Sequence, residues 1–92
     1  MSAFVPWVVI PVYDHEHAIG QTVARVLVSG LPCLLVDDGS HAACANVLRD
    51  LARAHAPQVR LRRLEENQGK GGAMLAGFRE AANLGASHVL QI

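Results

Sequence analysis

Four short apolar runs, Trp7–Val12, Cys33–Val36, Val59–Leu64 and His88–Ile92, are separated by three stretches whose apolar residues recur at helical spacing. That alternation is the strongest constraint on the chain. The runs are β-branched or leucine-rich and of strand length, whereas the intervening stretches are long enough for three or four helical turns. In the first, Ile19, Val23, Val26 and Leu27 share one face, and Gly30 followed by Pro32 marks the stop. The second, Ser40–Ala56, places Cys44, Val47, Leu48, Leu51 and Ala52 on one stripe, with Ser40 as its N-cap and Pro57 behind it. The third runs from about Gly72 to Leu84, with Met74, Phe78 and Ala81 on one stripe.

The order is therefore β-α-β-α-β-α-β, and helical crossovers of this length return the chain to the same end of the sheet, so the strands run parallel. Right-handed crossovers give a Rossmann-like, three-layer α/β/α fold with strand order 3-2-1-4. In such sheets ligands bind beyond the carboxyl ends of the strands.

At 92 residues the chain suffices for one small domain, and its 51% hydrophobic content is too high for disorder. Eight basic and eight acidic residues leave no global field for nucleic acid or an anionic bilayer, so any anion must be held locally. The apolar stretch Phe4–Val12 lacks a basic flank, contains Pro6 and Pro11, and is far shorter than the roughly 20 residues of a membrane span. Cys33 and Cys44 have no CxxC spacing and no signal peptide, which points to a reduced, cytoplasmic chain.

Three motifs fall at the carboxyl ends of the first three runs. PVYD supplies a rigid Pro11 and an aromatic Tyr13 that suits one face of a base; Asp14 and Glu16 contact ligand or cap the first helix. VDDGS supplies Asp37 and Asp38, acceptors for base N–H groups or ribose hydroxyls, and Gly39 for a tight turn. NQGKGGA supplies Gly69 and Gly71, whose backbone approaches a phosphate at a helix N-terminus, with Lys70 as a mobile cation. It is neither a Walker loop nor GxGxxG. His15 and His17 read as a solvated helix start, and Arg60, Arg62 and Arg63 as a solvated strand face.

Together VVIPVYD, LLVDDGS, ENQGKGGAMLAGFREA and HVLQI resemble the N-terminal half of family 2 inverting glycosyltransferases of the GT-A fold, with a flavour similar to bacterial polyprenyl-phosphate glycosyltransferases. The resemblance implies a nucleotide-sugar donor of the UDP or GDP type, with Pro11 and Tyr13 along the base, Asp38 on base or ribose, and Gly69–Gly71 with Lys70 beside nucleoside or diphosphate. Family members often carry Asn where Asp14 stands. It also implies a divalent metal, Mg2+ or Mn2+, bound by a DxD motif directly after the fourth strand. That motif and the catalytic residues would lie beyond Ile92, so residues 1–92 are expected to form one truncated nucleotide-sugar-binding domain that holds no metal tightly and transfers no sugar. The acceptor is not specified beyond classes such as a lipid phosphate or a glycan; a membrane-associated full-length protein would work at the cytoplasmic face. Alternatives are a receiver-like phosphoacceptor domain, suggested by LLVDDGS, and a non-catalytic nucleotide-binding module. A fourth strand with an unpaired edge also leads to the expectation of a homodimer.

Overall fold

The computed structural model describes residues 3–92. Seven elements alternate as expected: β1 (Pro6–Val12), α1 (Ile19–Val28), β2 (Cys33–Asp38), α2 (Ala42–Ala54), β3 (Val59–Leu64), α3 (Gly69–Asn83) and β4 (His88–Gln91). All strand pairs are parallel and the order is β3-β2-β1-β4.

Strand alternation divides the core into two layers. Val8, Ile10 and Val12 of β1 and Cys33 and Leu35 of β2 pack against Ile19, Val23 and Val26 of α1 and Cys44 and Leu48 of α2. On the other face, Trp7, Val9, Leu34 and Val36 meet Ala73, Met74 and Ala81 of α3. α3 approaches through small residues: a methyl group at Gly77 would lie 2.6 Å from Val9 Cγ1 and 3.0 Å from Val36 Cγ2. This close approach explains a departure from the sequence reading. Phe78 is exposed, because the buried stripe runs through Ala73, Met74, Gly77 and Ala81 and leaves the ring at the side.

Two boundaries also shift. α3 begins at Gly69, so Gly69, Lys70 and Gly71 form its first turn and not a preceding loop. α2 is capped by His41, whose Nδ1 accepts from Cys44 N–H at 3.3 Å. Ser40, expected to be the cap, has a different task described below. Cys33 and Cys44 are both free and buried, and burial pushes the Cys33 thiol up to about 12. No helix is long and apolar enough to cross a membrane among the described residues.

Candidate functional site

β1 and β2 end side by side, with Val12 opposite Asp37, and β2 continues through Asp38, so both acids are strand residues. Successive strand side chains point to opposite faces, and this gives the two carboxylates different surroundings. Asp37, 0% exposed, accepts from Arg63 Nη1 at 2.5 Å and from Ser40 N–H at 2.9 Å. Both its oxygens are engaged within the protein. Arg63 stands directly across the β2–β3 ladder from Asp37 and also donates to Ser40 O at 3.2 Å, so it lies on the exposed strand face the sequence suggested and at the same time carries an ion pair that the sequence reading did not foresee.

Asp38 is also buried, at 3% exposure, but it borders a cleft of about 500 Å³. Its Oδ1 accepts from Gln68 N–H at 2.7 Å and its Oδ2 from Asn67 Nδ2 at 3.0 Å. Asn67 Nδ2 lies 3.1 Å from the Asp38 carbonyl as well. The β3–α3 connection thus fixes the carboxylate while leaving acceptor positions on an ionised group that offers about four. Gly39 makes the arrangement possible: its φ is +72°, and a Cβ there would sit 2.6 Å from Asn67 N.

Pro11 and the exposed ring of Tyr13 form one wall of the cleft, and Gly69 and Lys70 form another. α3 has no acidic residue in its first turn and no side-chain cap at Gln68, so its first N–H groups, the positive end of the helix dipole, have no side-chain partner. The volume lies in the range of small-ligand sites.

Of the residues singled out from sequence, Pro11, Tyr13, Asp38, Gly69 and Lys70 come together in the cleft. Asp37, Asp14, Glu16, Gly39 and Gly71 do not line it. Asp37 is turned into the sheet's interior side against Arg63, Gly39 lies under Asn67, and Asp14 and Glu16 lean toward His41, whose Nε2 is 3.6 Å from Asp14 Oδ1 and 3.5 Å from Glu16 Oε2. Asn67 and His15 line the cleft and were not selected; Asn67 lay within NQGKGGA, and its amide is the natural complement to a strand-end carboxylate. The receiver-like alternative loses its basis, since Asp37 is enclosed by Arg63. Among the described residues no group of three or more His, Cys, Asp or Glu could hold a metal ion, so the implied divalent metal has no fitting ligand set here.

The Glycosyl transferase family 2 model matches residues 7–83. The chain is 34% identical, across 80% of its own length, to an undecaprenyl-phosphate 4-deoxy-4-formamido-L-arabinose transferase of Aeromonas hydrophila, and 35% identical to the Proteus mirabilis protein of the same name over the same share. It spans about a quarter, 24%, of each of these relatives. Among solved structures it is similar to the mannosyltransferase PcManGT of Pyrobaculum calidifontis in complex with GDP-Man and Mn2+, with a TM-score of 0.71 and 23% identity over 83% of this chain and 24% of that one. The parallel sheet with its cleft at the carboxyl edge is thus the GT-A arrangement, and since the family match runs from Trp7 in β1 to the end of α3 and takes in every residue that lines that cleft except Ile92, the chain belongs to glycosyl transferase family 2.

Proposed function

We propose that the cleft takes the nucleoside diphosphate of a UDP- or GDP-type sugar donor, within a glycosyltransferase that passes the sugar to an acceptor such as a lipid phosphate. The supporting observation is the fixed Asp38 carboxylate, set between an exposed aromatic ring and a lysine at an uncapped helix N-terminus. Each part suits a different portion of such a ligand. Tyr13 offers a face for the base, backed by Pro11. Asp38 accepts from a base N–H or a ribose hydroxyl, and because Asn67 and Gln68 hold it in place, little ordering accompanies binding. Lys70 and the first turn of α3 meet the diphosphate. The names of the Aeromonas and Proteus relatives favour a polyprenyl phosphate as the acceptor class. The Mn2+ in the mannosyltransferase complex supports a divalent metal in the reaction; it would neutralise the leaving diphosphate, and no described residue is assigned to it.

Titration calorimetry with UDP, GDP and uridine tests the reading. UDP or GDP should bind more tightly than the bare nucleoside, and Asp38→Ala should weaken binding by about 1 to 3 kcal/mol, the loss for a buried acceptor. Equal affinity in wild type and Asp38→Ala would remove Asp38 from the site.

A further inference from the structure

Asp14 is the one non-glycine residue with a left-handed backbone among the described residues, at φ 54°. Asp and Asn tolerate that region better than other side chains, but it still has to be held. Asp14 N–H donates to Ser40 Oγ at 3.0 Å, and Asp14 Oδ1 accepts from His41 N–H at 2.8 Å. Ser40 is in turn fixed from below: its N–H donates to Asp37, and its carbonyl accepts from Arg63. The turn after β1 is therefore tied to the turn after β2 by two hydrogen bonds that span 26 and 27 residues of sequence. Asp14 itself does not line the cleft. Its neighbours on either side, Tyr13 and His15, both do.

We infer that Asp14 is a positioning residue: through Ser40 and His41 it holds the left-handed turn that presents Tyr13 and His15 to the ligand, without touching the ligand. This rests on the nucleotide reading of the cleft. The same ties give the Asp37–Arg63 pair, of which only Asp37 is buried, a role in the site, since they anchor the serine that anchors Asp14.

The test compares wild type, Asp14→Asn, Asp14→Ala and Ser40→Ala for UDP and GDP affinity, normalised to folded protein. Asn keeps both the backbone tolerance and the acceptor oxygen, so affinity should stay within about twofold, whereas Ala removes both and should weaken binding about tenfold or more. Ser40→Ala, which leaves Asp14 intact, should weaken it by roughly threefold or more. A stability role alone would lower the melting temperature of Asp14→Ala without changing the affinity of its folded fraction, and that result overturns the inference. So does an Asn variant as impaired as Ala. If Asp14→Ala does not fold, unchanged affinity in Ser40→Ala is the overturning result. If wild type binds neither UDP nor GDP, the nucleotide reading fails, and NMR of Ser40→Ala decides the positioning role separately: ring resonances of Tyr13 and His15 that move toward disordered values uphold it, and unmoved ones overturn it.

Discussion

β2 and β4 flank β1 on its two sides, both parallel to it, and they could hardly differ more in surroundings. All six residues of β2 are buried, whereas none of the four in β4 is. β2 has a strand on each edge and helices on both faces, α1 and α2 beneath Cys33 and Leu35 and α3 above Leu34 and Val36. β4 is an edge strand: Val89 reaches the α3 layer, but Leu90 is 48% exposed and borders an open groove beside α1, with Val26 and Leu31 on its far wall. The backbone ladder is the same kind of interaction on both sides. What separates the strands is side-chain burial, the dominant stabilising term in folding, and so the two should respond very differently to the same change.

The largest contrast is expected in the core. Leu35→Ala empties a site with no solvent access and should destabilise the chain by about 3 to 4 kcal/mol in urea unfolding, while Leu90→Ala should lose under about 1 kcal/mol. Similar losses at the two positions would break the comparison.

Next comes the charge buried at the end of β2. Arg63→Ala leaves Asp37 without its ion partner, a loss of roughly 2 kcal/mol once the 38% exposure of the Arg63 side chain is allowed for. A denaturation midpoint no different from wild type would show that water replaces the guanidinium there.

The β4 side makes a prediction of its own, about association. Among the described residues the edge carrying Leu90, next to the exposed Ile92, has no strand partner and is a template for a second chain, so light scattering of these 92 residues should report a concentration-dependent dimer that Leu90→Lys disrupts. A monomer at high micromolar concentration would show that the edge is tolerated.

The smallest effect concerns Cys33 of β2. With its thiol raised to about 12 by burial, the folded protein keeps this proton while the unfolded chain loses it from about pH 9, so stability falls as pH rises through that window. In the same vein, a thiol reagent at pH 8 should label neither Cys33 nor Cys44 until the protein unfolds. Labelling of Cys33 at the rate of an unfolded peptide would mean that β2 opens far more readily than its burial implies.

The contrast also explains what could be read from sequence. β2 and β1 are near-continuous apolar runs of the kind that only a doubly covered parallel strand supports, and the stripes of α1 and α2 follow their 3.6-residue period, so element order and strand order were legible. The α3 stripe was misjudged because small residues carry it: hydrophobicity pointed to Phe78, and close packing selected Gly77. In the site, residue types in the segments that follow the strands point to Tyr13, Asp38 and Lys70, and the ends of β1 and β2 with the first turn of α3 bring these three to one cleft. Asp37 and Asp38 look equivalent in the sequence. Their separation depends on strand register, which places Arg63 across from one, and on the path of a connection that places Asn67 beside the other. Neither pairing is encoded by local spacing. Ser40 as a helix cap was a local inference of the same kind, and it lost to a long-range partner, the amide of Asp14.

The polar ties at the carboxyl edge share one property that bears on how the molecule assembles. Asp14 to Ser40, Asp37 to Arg63, Asp38 to Gln68: these bonds join residues 26, 26 and 30 positions apart, each bridging one complete crossover. Such bonds cannot exist in an isolated β-α segment, and loop closure over that distance must be won before they form. The ladder around Leu34 and Leu35 closes the same distance, so what sets the cleft apart is its place at the exposed end of the sheet, and the amides of Asp14 and Gln68 should exchange with solvent deuterium before those of Leu34 and Leu35. Binding a nucleotide across these turns would draw their exchange rates toward that of the core, so that the ligand completes the cooperativity of the fold as well as occupying it.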